Sequence, residues 1–319
     1  PAARHRGRQK DDDSGERGFV LKARRIVTRP DFDGIVCAAL LKDALGIEAS
    51  VHWVEPADIQ SGRAEIRAGD VIANLPYDPR CSLWFDHHYT NRIETPFHGA
   101  FSLAPSAARV VFDHYRIRFS RDFTELVDHT DRIDAARLTE EEVVHPEHHP
   151  YVMLSMTARN PDRDPSYWEL LVRLLRRSPI DIVMGAPRVK ARCEAVAAQN
   201  RRYQKLLEDV TEVKGRVSIT DFRSIDPPPA GNRFLVYSLF PETAVNVKIH
   251  NHHRDRDKIV VHLGHSIFNR KCRVNVGQLL SRFEGGGHRG AGAATFLKEK
   301  ADDYLPRIIE ALEKNEPNE

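Results

Sequence analysis

The stretch Ala23-Arg24-Arg25-Ile26-Val27-Thr28, then Arg29-Pro30-Asp31-Phe32-Asp33-Gly34, then Ile35-Val36-Cys37-Ala38-Ala39-Leu40-Leu41 decides the architecture. The first run is short, β-branched and apolar, as a strand requires. Pro30 and Gly34 break it, and the long apolar run that follows suits a buried helix that Gly46 closes as a C-cap. This is a strand–loop–helix unit. In extended backbone, residues two apart point the same way, so Asp31 and Asp33 are expected to face one site. They sit at the carboxyl end of a strand, where open α/β sheets bind ligands. The plainer reading makes Asp33 the cap of the helix, which accounts for one aspartate and not the other.

Residues 50–54 read as a second strand. Asp70-Val71-Ile72-Ala73-Asn74 reads as a third, closed by Leu75-Pro76-Tyr77, and residues 82–85 as a fourth. The fourth runs straight into Asp86-His87-His88. Each of these side chains must be hydrogen-bonded, charged or ligated where it leaves water; the alternative is a surface turn with a capping aspartate and two solvated histidines. Strand ends carrying Asp, Asn and Asp-His-His would line one crevice of a parallel sheet. Residues 106–117 and 122–133 read as amphipathic helices, the second ending in Asp128-His129-Thr130-Asp131-Arg132-Ile133-Asp134. Acidic groups at a helix C-terminus oppose the helix dipole, so a cation is expected nearby: a divalent ion, Arg132 or Arg137.

The chain has 319 residues, 29% charged, with a formal net charge of +2. That length suits two domains, each with its own core, and the charge balance does not suit a polybasic nucleic-acid coat. No apolar run approaches the roughly 20 residues that span a bilayer, and no signal-peptide core is expected. Cys37, Cys81, Cys193 and Cys272 form no CxxC pair and read as reduced thiols of a cytoplasmic protein.

Residues 1–18 are charged and aperiodic and read as a disordered tail. Residues 19–186 form the first expected domain. Val189, Cys193, Val196, Tyr203, Leu207 and Val210 then fall at helical spacing, so residues 187–214 read as a long amphipathic linking helix with a solvated basic face. Residues 215–319 form a smaller α/β domain, with strands expected at 217–220, 234–237, 244–249 and 259–263 and a helix at 276–283. The helix leads into Gly285-Gly286-Gly287-His288-Arg289-Gly290-Ala291-Gly292. Glycine lets backbone amides converge on an anion, and His288 and Arg289 add donors, so this loop reads as a phosphate-binding segment.

Asp31-x-Asp33-Gly34, Asp86-His87-His88 and Asp131, in that order, resemble successive motifs of the DHH phosphoesterase superfamily. Asn275-Val276-Gly277 and Gly285-Gly286-Gly287-His288 resemble the associated C-terminal domain, so the resemblance spans roughly residues 23–300. It implies a Rossmann-like parallel-sheet domain holding Mn²⁺, or Mg²⁺ in its place, as one or two ions. It also implies roles. Asp31 looks like a ligand of one metal; Asp33, His87 and Asp131 look like ligands of another. His88 looks like a phosphate contact and Asp86 a group that orients His87. Arg29 stands where many members have a histidine, and would stabilise developing charge if it turns inward. Arg273, Asn275, Gly285, Gly286, Gly287, His288 and Arg289 would bind substrate. The chain departs from the pattern at Asn74, where the family has an acidic residue bridging two metals. An amide oxygen can ligate one cation but is a poor bridge between two.

The expected activity is metal-dependent hydrolysis of a small nucleotide, a short single-stranded oligonucleotide or a related phosphate in an interdomain cleft. The alternative is a catalytically degenerate nucleotide- or phosphate-binding sensor. A homodimer is a further expectation; a membrane partner is not.

Overall fold

The computed structural model describes residues 23–158 and 163–318; the tail expected at 1–18 lies outside the described residues. Backbone contacts divide the chain into two units. One comprises residues up to Val127 together with Asp164–Arg177, the other Asp128–Arg163 and Ser178–Glu319.

The first unit is built on strands β1 (Arg25–Thr28), β2 (His52–Trp53), β3 (Asp70–Ala73), β4 (Leu83–Asp86) and β5 (Gly99–Phe101). They form one sheet in the order β2-β1-β3-β4-β5, with every neighbouring pair parallel. This is the expected parallel α/β arrangement, and the order reverses between β1 and β3. A ligand crevice opens outside the carboxyl ends of strands at such a reversal, because the connections from those strands leave to opposite faces of the sheet.

Helix α1 (Phe32–Leu45) is buried from Phe32 to Lys42, as a helix apolar all round must be. It packs against β1, α3 (Ala107–Tyr115) and α7 (Pro165–Arg177). Short α2 (Pro56–Gln60) and α4 (Thr124–Asp134) complete the elements that begin in this unit. Around Trp84, whose Nε1 donates to the Leu75 carbonyl at 2.9 Å, the rings of Tyr77, Phe97 and Phe101 pack together. That core holds the end of β4 in place.

The second unit begins with α5 (Glu140–Val144), α6 (Pro150–Ala158), α8 (Ile180–Gly185) and the long α9 (Pro187–Val210), the helix expected from its heptad-like spacing. Its sheet runs β10-β11-β9-β8-β7-β6. The strands are β6 (Thr211–Lys214), β7 (Val217–Asp221), β8 (Val245–Asn251), β9 (Lys258–His265), β10 (Gly285–His288) and β11 (Ala291–Leu297). Helices α10 (Leu235–Leu239), α11 (Val276–Leu280) and α12 (Ala301–Lys314) complete it.

Two expectations are corrected here. Residues 234–237 are not a strand: Leu235–Leu239 form α10 and pack with Val143, Tyr203 and Leu207. A short apolar run suits a buried helix turn as well as a strand, and here tertiary packing decides. The glycine-rich stretch is a hairpin and not an open loop, with Gly285↔Ala294, Gly286↔Ala293 and Gly287↔Gly292 paired antiparallel. Gly285 and Gly287 are needed for close approach, since a Cβ on either would stand 2.4 Å from a carbonyl oxygen of the paired strand. A Cβ on Gly277 of α11 would meet the Gly287 carbonyl oxygen at 2.3 Å, and Gly287 itself has φ +147°. The four cysteines are free thiols, as expected. No helix among the described residues is long and apolar enough to cross a membrane.

Candidate metal centre of the first unit

The site grows from the carboxyl ends of β1, β3 and β4. After β1 the chain turns through Arg29 and Pro30, and Asp31 becomes the N-cap of α1, its Oδ1 accepting from the Gly34 amide at 2.9 Å. The cap is therefore Asp31; Asp33 lies in the first helical turn. The two aspartates do not alternate along an extended strand, because the helix starts at Phe32. Gly34 is required at this spot: a Cβ there would stand 2.0 Å from the Arg29 carbonyl oxygen and 2.8 Å from Thr28 Oγ1.

Asp33 is buried, and its carboxylate crosses to the start of α3. Oδ2 accepts from the Ala107 amide at 2.9 Å and Oδ1 from the Ala108 amide at 2.8 Å. Unsatisfied first-turn amides and the positive end of the helix dipole both favour an ionised carboxylate there. Ser106 caps the same helix through Arg109 N at 3.0 Å.

Asn74 follows β3 in a left-handed conformation, φ 56°, which asparagine tolerates better than most residues. It is buried, and its Nδ2 donates to Asp31 Oδ1 at 3.0 Å. The amide that stands where a bridging acid was expected thus serves Asp31 as a hydrogen-bond donor. Arg29 does turn towards this end of the sheet: its Nε lies 3.2 Å from Asp31 Oδ2 and 3.9 Å from Glu55.

At the end of β4 the two histidines are held differently. His87 Nδ1 is 3.0 Å from the Ala104 carbonyl, which can only accept, so Nδ1 carries the proton and Nε2 the lone pair. That Nε2 lies 3.9 Å from Asp33 Oδ2, beyond hydrogen-bond range. Two electron-pair donors facing each other at this separation suit a shared cation, and an imidazole whose far nitrogen is fixed on a carbonyl is the arrangement found at metal-bound histidines. Carboxylate with imidazole fits Mn²⁺ or a similar ion. The donor set therefore fits the expected metal.

Asp86 corrects an expectation. Its carboxylate, fully buried, meets His88 Nδ1 at 2.9 Å through Oδ1 and receives Asn91 Nδ2 at 2.8 Å through Oδ2. It orients His88; the carbonyl of Ala104 orients His87. No sequence signal marks Asn91 or Ala104, since both act through loop geometry. The His87 and His88 rings meet edge to face at 4.2 Å between centroids.

In the second unit, Asp131 lies on α4, with Asp134 one turn beyond it. His288 and Arg289 are exposed at the turn of the β10–β11 hairpin, and Arg289 Nη2 reaches the Arg273 carbonyl at 3.5 Å. Asn275 is the N-cap of α11, accepting from Gln278 N at 3.2 Å, so its side chain has a structural task.

Neither the family-model scan nor the search of curated proteins finds a match. Among solved structures, the chain is similar to the pGpG-specific phosphodiesterase PggH of Vibrio cholerae: 30% identity and TM-score 0.79, over 92% of this chain and all of that one. It also resembles the DHH domain of PF0399, a member of the S1P family of ribosomal proteins, at 13% identity and TM-score 0.56, over 92% of this chain and 88% of that one. The exonuclease RecJ bound to manganese matches at 13% identity and TM-score 0.52, over 93% of this chain and 91% of that one. The last two likenesses concern the fold alone.

Proposed function

The chain belongs to the DHH phosphoesterase superfamily, and from that premise we propose that it is a Mn²⁺-dependent phosphodiesterase of short linear nucleotides, with a 5′-phosphorylated dinucleotide such as pGpG as substrate. The observation that carries this reading is His87, fixed through Nδ1 on Ala104 so that Nε2 faces the Asp33 carboxylate. The likeness to a pGpG-specific enzyme at 30% identity supports the substrate class.

In this reading Asp33 and His87 hold the ion, with Asp31 and Asn74 beside them. When bound, the ion supplies Lewis acidity, lowering the pKa of a water and polarising a phosphoryl oxygen. His88, whose Nδ1–H donates to the Asp86 carboxylate, faces the phosphate with Nε2, from which it stabilises developing charge only as the imidazolium that the carboxylate supports. Asp86 gives His88 a fixed ring plane, with Asn91 holding the other carboxylate oxygen. Arg29, Arg273, His288 and Arg289 supply positive charge or donors for substrate phosphates, and Gly285, Gly286 and Gly287 present the hairpin that carries the last two.

Turnover of pGpG to mononucleotides, followed chromatographically with Mn²⁺ and again after chelation, is the test. Metal-dependent cleavage is expected. Binding of pGpG without cleavage would overturn the catalytic reading in favour of a nucleotide-binding protein, which the Asn74 amide on Asp31 favours.

Asn74→Asp tests that amide directly. It would place a second carboxylate where a hydrogen bond now spans 3.0 Å to Asp31. Like charges that close repel, so the metal-free variant should lose about 1–3 kcal/mol of stability. Added Mn²⁺ should raise its melting temperature more than that of the wild type and increase the bound stoichiometry. Equal Mn²⁺ responses in both proteins would place Asn74 outside the metal's reach.

A further inference from the structure

The two faces of the second unit's sheet have opposite chemistry. Val217, Val245, Val247, Ile249, Val261 and Leu263 are buried in the core that also takes in α12. By the two-residue period of strands, the other face carries Ser218, Thr220, Asn246, Lys248, His250 and His262. Its hydroxyl end is satisfied internally, with Asn246 Nδ2 donating to Ser218 Oγ at 3.2 Å and Thr220 Oγ1 at 3.0 Å.

The other end carries one ammonium and two imidazoles. Lys248 and His262 stand directly opposite each other across β8 and β9. His250, two residues along β8, brings Nε2 to 3.1 Å from His262 Nε2, the rings stacked at 5.2 Å. His250 Nδ1 is 2.8 Å from the Asn251 carbonyl and so donates there; its Nε2 then accepts from the Nε2–H of His262. The pair is complete as two neutral imidazoles. Burial, followed by the charge of Lys248, holds His262 down at about 4.

Lys248 is half-buried, and burial followed by the Arg233 guanidinium pushes its ammonium below the usual lysine range. No carboxylate pairs with it among the described residues. A partly desolvated ammonium beside a second cation costs free energy, and an anion relieves that cost. Two imidazole nitrogens at 3.1 Å could also hold a transition metal, but the ammonium alongside repels a dication.

We propose that Lys248, with Arg233 beside it and the neutral His250–His262 pair as a wall that donates nothing, forms a phosphate-binding subsite on the polar face of this sheet. The subsite stands on the second unit alone. Where the phosphate is the terminal monoester of a nucleotide, the proposal rests on the phosphodiesterase reading and adds to it the group that selects a 5′-phosphorylated end.

The experiment uses the whole chain with its metals chelated and inorganic phosphate as the probe, followed by calorimetry and thermal melting. Wild type should bind phosphate and melt higher in its presence; Lys248→Met should bind it at least about tenfold more weakly. In phosphate-free buffer the variant should melt no lower than wild type, since it loses an uncompensated cation. Phosphate binding as tight as wild type, no phosphate binding by wild type, or a variant that melts well below it would each overturn the proposal. Steady-state kinetics then separates the sources. If the phosphate is the substrate's own, Lys248→Met raises KM for pGpG and leaves the unphosphorylated dinucleotide GpG unchanged; if it is free phosphate, neither KM moves while phosphate binding is lost. Wild type that binds phosphate through Lys248 yet cleaves no dinucleotide would leave the subsite standing and remove the phosphodiesterase reading.

Discussion

Replacing His87 with alanine is expected to lower Mn²⁺ affinity by more than about 100-fold and to take nucleotide turnover with it. Loss of a group that merely orients a metal ligand costs about 10–100-fold, and loss of the ligand itself should exceed that. The fold should survive. The hydrogen bond that the ring makes to the Ala104 carbonyl is of the neutral kind, whose loss costs about 0.5–1.5 kcal/mol. Calorimetric titration with Mn²⁺, alongside thermal melting of the metal-free protein, checks both halves. Wild-type Mn²⁺ affinity in the variant would remove His87 from the metal centre and with it the observation on which the functional reading rests.

Asp33→Asn should differ by damaging the fold as well as the metal centre. Each carboxylate oxygen of Asp33 receives one amide of α3, Ala107 and Ala108. Asparagine keeps one accepting oxygen and sets its NH₂ against the other amide, donor against donor. The variant also removes the negative charge that faces the positive end of the helix. A loss of about 2–4 kcal/mol of stability is expected, together with loss of Mn²⁺ binding. Denaturant unfolding of the metal-free variant measures the first. Stability within about 0.5 kcal/mol of wild type would mean that the α3 amides do not depend on this carboxylate. The contrast between the variants is informative: His87→Ala isolates metal binding, whereas Asp33→Asn couples it to the anchoring of α3.

The parallel α/β class was legible because it depends on local signals. β-branched or aromatic apolar runs end at Pro30, Asn74 and Asp86, and an apolar run opens at Phe32 and closes on Gly46, which has φ +65°. The motif residues could be read for the same reason, since Asp31-x-Asp33-Gly34 and Asp86-His87-His88 are contiguous chemistry. Where local signals were ambiguous the secondary-structure reading failed: the four apolar residues at 234–237 suited strand and helix alike, and the glycines at 285–287 suited an open loop as well as a hairpin.

What the sequence by itself determined was the set of strand–helix units and the chemically competent side chains at their ends. Only the tertiary structure decided which partner each side chain takes. The strand order sets β1 beside β3, and so Asp31 beside Asn74, 43 positions away. The packing of α3 on α1 turns Asp33 from a helix cap into an anchor for an element 74 positions away. The loop after β5 brings the Ala104 carbonyl to His87 and leaves Asp86 for His88. Lys248 gains its neighbours only when β9 sets His262 opposite it. The physical reason is common to all four. Propensity and periodicity act over a few residues, whereas hydrogen bonding and desolvation depend on which distant backbone the fold brings within about 3 Å.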